Sequence, residues 1–366
     1  MTKKNLIFFL PNFSAGGAGQ SILNICKHLN KKKYNIYIVS LNSNYYKQNL
    51  LRFCKEVIEI NSSSTFFSLK KIEIFLQKLE KKNTLLISNI NYANALSVIY
   101  FKLIKSYKLA LIERTPLQEL YISYGIIDYF KKAVIKLIIK LFYKKADCVI
   151  ANSKKTAKDF TKISKKKCKY VYPLSVTKFK NYKNKSLKKS DIFRISTISR
   201  LSREKNIEEV IYALKLIDNK KVNFTILGDG YLKQKIKMLI KNSNINSNII
   251  KFSEKNKKKL LNKSHLYICS SHFEGFPNAV VDAINYSIPI ISSNNHGGIK
   301  EILSNGSGGE LYKIGDVNQL KNKINKIRFF YKDSLTKTKF AKKKLNRFTK
   351  KNINKYEKLF DDVLVK

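Results

Sequence analysis

Phe193-Arg194-Ile195-Ser196-Thr197-Ile198, continuing as Ser199-Arg200-Leu201-Ser202-Arg203-Glu204-Lys205-Asn206, is the stretch on which the reading of this chain turns. The first six residues have the apolar content of a strand, and helical periodicity begins at Asn206 and runs to Ile217. Two guanidinium groups and an ammonium therefore stand at a strand's carboxyl end, the edge where open α/β sheets bind ligands. A second stretch shares the design. Leu266-Tyr267-Ile268-Cys269-Ser270 is strand-like, and Glu274-Gly275-Phe276-Pro277-Asn278-Ala279-Val280-Val281-Asp282 follows it. It sets two carboxylates eight residues apart, with Pro277 as a helix opener. Cations and helix amides suit a diphosphate; ionised carboxylates, which only accept hydrogen bonds, suit paired hydroxyls.

Outward from these stretches the same alternation of short apolar runs and helix-length segments fills the chain, the pattern of stacked βα units. Strands are predicted at Asn5–Leu10, Tyr34–Leu41, Val57–Ile60, Thr84–Ser88, Leu109–Ile112, Cys148–Ala151 and Lys169–Tyr172. After a polar patch, Lys178–Ser190, they resume at Phe193–Ile198, Val222–Leu227, Ile249–Phe252, Leu266–Ser270 and Pro289–Ser292. The patch is poor in aliphatic residues and reads as a linker. The expected organisation is a domain over 1–177, a linker over 178–190, a second domain over 191–345 and a helical tail over 346–366. Helical pattern is expected from about Leu335 to Val365 as one tail. No internal repeat argues for a solenoid.

Composition narrows the class. At 366 residues and 44% hydrophobic, the chain can bury two cores. Its five cysteines include no CxxC pair, so neither a disulfide framework nor a zinc cage is suggested, and a cytoplasmic setting is expected. No apolar stretch is long enough to span a bilayer. The net charge of +48 invites nucleic acid or an anionic membrane as partner. The lysines are spread along the whole chain, however, and no RRM, KH or zinc signature accompanies them, so no specific nucleic acid is expected.

In order and spacing, residues 192–305 resemble the family 4 glycosyltransferases of the GT-B fold, whose two Rossmann-like domains face each other across a cleft. The resemblance rests on Arg200, Glu204-Lys205-Asn206, Gly228-Asp229-Gly230, the acid pair Glu274 and Asp282, and His296-Gly297-Gly298. It implies a retaining glycosyltransferase that takes a nucleotide-diphosphate sugar, with a UDP-sugar expected, and passes the sugar to a glycan or lipid-linked glycan in cell-surface assembly. Arg200, Lys205 and Glu274 would be catalytic; Gly16, Gly17, Gly275, Phe276, Asn278, Ala279 and Asp282 would join them in holding the donor. Reaction would take place in the cleft after closure about the linker. No separate cofactor is implied, and without an Asp-x-Asp motif a metal-held diphosphate is not expected. The chain departs from the family in having Asp282 where Glu is usual, and Ser199, Ser253 and Ser287 where glycine is common. Two other classes stay open: a GT-B-like nucleotide-sugar epimerase, against which the scarcity of histidine (four in the chain) weighs, and an inactive or nucleic-acid-binding relative governed by its high positive charge.

The first half carries fainter signals. Ser14-Ala15-Gly16-Gly17-Ala18-Gly19 follows the first strand and precedes a helix, where amides approach an anion, or where a plain tight turn sits. Glu113-Arg114, after the strand Leu109–Ile112, resembles the Glu-Arg turn of transferases that extend lipid-linked glycans and is the candidate for acceptor contact. Lys132, Lys136, Lys140 and Lys144 form one stripe of a helix over Ile126–Lys144. That stripe would meet anionic head groups while Val134, Ile135, Leu137, Ile138, Ile139, Leu141 and Phe142 pack inward; a solvated lysine face on a sheet-packed helix is the alternative. The expected location is cytoplasmic, with peripheral attachment to the inner face of the membrane.

Overall fold

The computed structural model describes residues 2–13, 16–42, 44–181, 187–188, 190–217 and 221–365. Ser14, Ala15 and part of the expected linker lie outside the described residues. The chain forms two compact units: Met1–Ser175 together with Arg347–Lys366, and Val176–Asn346.

The first unit is built on a seven-stranded parallel sheet of β1 (Lys4–Phe9), β2 (Tyr34–Ser40), β3 (Glu56–Glu59), β4 (Thr84–Asn89), β5 (Lys108–Glu113), β6 (Cys148–Ala151) and β7 (Lys169–Tyr170). Its order is β3-β2-β1-β4-β5-β6-β7, so the winding reverses between β1 and β4. Alternation along β1 divides the core. Leu6 and Phe8 pack on one face beneath helices Gly17–His28 and Ile353–Val365, while Ile7 and Phe9 pack on the other beneath Thr65–Gln77 and Ile126–Phe142. Both faces are covered, which is why β1 reads as an unbroken apolar run.

The second unit has a six-stranded parallel sheet of β8 (Phe193–Ile198), β9 (Val222–Leu227), β10 (Ser247–Ile250), β11 (Leu266–Cys269), β13 (Ile290–Ser293) and β15 (Glu310–Tyr312). Its order is β10-β9-β8-β11-β13-β15, with the reversal between β8 and β11. A separate parallel pair joins β12 (Phe273–Glu274) to β14 (His296–Gly297).

Most predicted elements are found within a residue or two of their place. The strand expected at Ile249–Phe252 begins two residues earlier, at Ser247, because its register follows Phe224 to Leu227 of β9. The helical pattern expected from Leu335 to Val365 is broken. Tyr331–Lys343 belongs to the second unit, short 3-10 turns follow, and Ile353–Val365 packs on the first. The break falls where Leu345 and Phe348 turn inward and become buried. β15 has only three residues, too few to show a period of two.

Candidate donor-binding site

Both sequence stretches that carry cations and acids leave the second sheet at its reversal point, one after β8 and the other after β11. The turn after β8 is set by backbone contacts. Leu201 N–H donates to Asp229 O at 2.9 Å, and Leu232 N–H donates to Leu201 O at 3.0 Å. Gly228 and Gly230 are required by this approach: a Cβ at either would lie 1.9 Å from Ser199 O or 2.4 Å from Leu201 O. A 3-10 turn, Arg203–Lys205, then leads through Asn206, at φ 48°, into helix Ile207–Lys215.

Lys205 and Glu274, far apart in sequence, meet here. The Lys205 ammonium donates to Glu274 Oε1 at 2.6 Å, and Ser271 Oγ donates to the same oxygen at 2.8 Å. The two charged side chains are 14% and 18% exposed, so the pair is sheltered yet open at one side. Glu274 is held by the β12–β14 ladder, in which it pairs with Gly297. Gly297 has φ 116°, and a Cβ there would lie 1.6 Å from Glu274 O, so only glycine fits. Gly275 O accepts from Gly298 N–H at 2.9 Å. Helix Asn278–Asn285 starts directly behind this loop, with Pro277 as N-cap and no side-chain cap. The amide-bearing positive end of that helix, at Asn278 and Ala279, therefore stands close in sequence to Glu274, and Phe276 is buried beneath the loop.

Arg200 is more exposed, at 70% of its side chain, and pairs with Glu204 at 3.0 Å. Glu204 was not among the sequence candidates, although its four-residue offset from Arg200 is legible. Burial opposes its charge, but Ser202, its own backbone and the cations Arg200 and Lys205 more than offset this and hold its carboxyl low. Asp282, within helix Asn278–Asn285, meets Lys257 at 3.4 Å, and burial pushes its carboxyl up against the pull of that lysine. The serines at family glycine positions take distinct parts. Ser253 caps helix Glu254–Lys263 by accepting from Asn256 N–H at 3.1 Å. Ser287 stands at φ 61° and accepts from the Lys342 ammonium at 2.8 Å. The Ser199 hydroxyl is buried with no partner among the described residues.

In the first unit, Gly16 is the extended N-cap and Gly17 the first residue of helix Gly17–His28, which has no side-chain cap. Glu113 and Arg114 are interior residues, 0% and 8% exposed. Glu113 accepts from Asn94 at 2.8 Å and from Tyr143 OH at 2.7 Å, and Arg114 donates to Asn89 at 2.9 Å and Ser21 at 2.8 Å. They tie β4, β5 and two helices together, and neither charged end is turned to solvent. The lysine stripe also differs from expectation. Lys132 pairs with Asp128 at 2.8 Å, and Lys136 lies over the Tyr121 ring at 4.5 Å. Of the apolar residues expected inward, Ile135 and Ile139 are buried and Ile138 and Phe142 pack half-buried against the core, while Val134, Leu137 and Leu141 are exposed.

Two doubly wound parallel sheets on one chain fit the two-domain GT-B fold. Solved structures share this architecture across nearly the whole chain. HepE of Anabaena, determined with UDP and glucose, superposes with a TM-score of 0.76 at 19% identity, covering 96% of this chain and 98% of that one. Sucrose-phosphate synthase of Thermosynechococcus elongatus gives 0.80 at 14% identity, covering 99% and 100%. Residues 178–347, a little under half of the chain, match the family described as Glycosyl transferases group 1. Among curated relatives, an uncharacterized glycosyltransferase of Methanocaldococcus jannaschii is 34% identical over 46% of this chain and 45% of its own length. A second is the N-acetylgalactosamine-N,N'-diacetylbacillosaminyl-diphospho-undecaprenol 4-alpha-N-acetylgalactosaminyltransferase of Campylobacter jejuni. It is 28% identical over 52% of this chain and 53% of its own. The chain thus spans about half the length of these two curated relatives.

Proposed function

We propose that this protein is a retaining glycosyltransferase that transfers a sugar from a nucleotide diphosphate, with UDP as the nucleotide, to a glycan or lipid-linked glycan of cell-surface assembly. The observation that carries this reading is the Lys205–Glu274 pair at the reversal point of the second sheet. The pair sets one compact cation and one acceptor-only group side by side, as a sugar diphosphate requires. Lys205, Arg200 and the amides at Asn278 and Ala279 would neutralise charge growing on the departing diphosphate. Glu274 would accept from donor-sugar hydroxyls, and Asp282 from the ribose. Gly16 and Gly17 would present the first amides of helix Gly17–His28 to an anion. No enzyme nucleophile, metal or cofactor is assigned a part. The UDP assignment draws support from HepE, determined with UDP, and the lipid-linked acceptor from the Campylobacter relative, whose name specifies a diphospho-undecaprenol substrate.

The test is calorimetric titration of UDP, GDP and ADP into the wild type and Lys205→Ala at moderate salt. Selective UDP binding that the substitution abolishes supports the reading. Equal, weak binding of all three nucleotides by both proteins overturns it.

A further inference from the structure

Helix Ile126–Phe142 is attached to its unit along one side, where Ile138 and Phe142 pack half-buried against the core. Ile135 and Ile139 are its buried residues, and Tyr143 just beyond it is buried as well. At about 100° per residue, the opposite side gathers Ile126, Phe130, Val134, Leu137 and Leu141 with Ile127 within roughly 100° of arc. All six are exposed, with Ile127 at 86%, Ile126 at 77% and Phe130 at 63%. Soluble helices place such a stripe against the core; this one turns it outward along its whole length. Lysines flank it. Lys132, Lys136 and Lys140 run along one side and Lys131 along the other, with Lys144 and Lys145 just past the end. From Leu117 to Lys145 the acids are Glu119 and Asp128 alone, and Asp128 is already paired with Lys132.

We propose that this helix docks the protein on an anionic lipid surface, lying in the plane of the interface with its apolar stripe among the acyl chains and its lysines at the head groups. The orientation is the reverse of the one the lysine periodicity suggests. The isoleucines, phenylalanine and leucines face the lipid, and the lysines reach sideways to phosphate along their aliphatic stems. Charge selects this occupant. A second copy would bring its own lysine flanks against these on a chain of net charge +48, and a polyanion would cover the lysines but leave the apolar stripe wet. A lipid surface satisfies both. The inference does not depend on the glycosyl-transfer reading, since it concerns another surface and is measured without turnover.

The chain has no tryptophan, so Leu137→Trp supplies a sole reporter. With vesicles of phosphatidylcholine and phosphatidylglycerol in equal amounts, its emission should shift to the blue; unchanged emission overturns the proposal. In flotation with the same vesicles, Phe130→Ser/Leu137→Ser should lower partitioning by about tenfold or more, since each buried methylene contributes to insertion. Lys140→Gln/Lys144→Gln should weaken binding several-fold at low salt and flatten its salt dependence. Circular dichroism establishes that each variant is folded, and a double variant that is not is replaced by Leu137→Ser alone. Wild type that fails to float, or floats no better than Phe130→Ser/Leu137→Ser, overturns the proposal. So does a dimer, seen by light scattering, that the serine substitutions dissolve while neither protein floats.

Discussion

Lys205 and Glu274 shelter each other, so each supports the other's charge in a partly dry setting. Lys205→Ala leaves Glu274 with Ser271 alone on Oε1. It should cost about 1–3 kcal/mol in urea denaturation, while turnover with a UDP-sugar falls by about a hundredfold or more. Turnover near wild type would remove Lys205 from the chemistry. Glu113 makes a pH-dependent contribution in the other unit. Burial lifts its carboxyl to about 7 in spite of hydrogen bonds from Asn94 and Tyr143. The fold therefore holds a proton that the unfolded chain, titrating near ~4.3, has released. Stability from this group is full below ~4.3 and is lost as pH rises through about 7, a change of order 3 kcal/mol. Glu113→Gln should flatten urea midpoints of the first unit between about pH 5 and about pH 8; an unaltered slope would show that the proton is held elsewhere.

Glycines and a buried acid control individual elements. Gly297 lies so close to Glu274 O that Gly297→Ala must open the β12–β14 ladder. The expected cost is about 2 kcal/mol or more, with donor binding weakened as Glu274 loses its place. Native-like binding in a calorimeter would mean that the ladder does not position the acid. β15 depends on Glu310, which meets Lys323 at 2.8 Å and Lys337 at 2.6 Å. Burial alone would raise its carboxyl, but the two lysines prevail and hold it at about 2. Because the folded value is depressed, the stabilisation is present above ~4.3 and is lost as pH falls through about 2. Glu310→Gln should make the second unit less stable at neutral pH and remove most of the difference from wild type near pH ~2, as followed by acid denaturation.

The chain's last helix completes its first domain. Tyr356, Phe360, Val363 and Leu364 of Ile353–Val365 join the core that holds Leu6 and Phe8, and Tyr34 OH donates to Asp361 at 2.9 Å. At ~1.5–3 kcal/mol for each large apolar side chain, the helix contributes about as much as the net stability of a typical domain. Truncation after Asn346 should therefore unfold the first unit and spare the second. Hydrogen exchange would register this as loss of protection in β1, β2 and β4, with β8, β9 and β11 retained. Protection kept in β1 would refute the assignment.

Sequence alone determined the alternating βα order, because continuous apolar runs such as Leu6–Phe9 and amphipathic segments between them have few other ways to bury themselves. It also determined Arg200, Lys205 and Glu274 as candidates, since charged residues just beyond a strand's carboxyl end are legible as spacing. Tertiary structure decided which of these meet. Lys205 and Glu274 are joined by the reversal of strand order between β8 and β11, and strand order is not written in local periodicity. It decided that Glu113 and Arg114 are interior, because burial depends on the helices laid over β5. It decided the outward face of Ile126–Phe142 as well. A helix with apolar residues on two sides and lysines between them gives no sign of which side will find the sheet, and Ile135 and Ile139 found it.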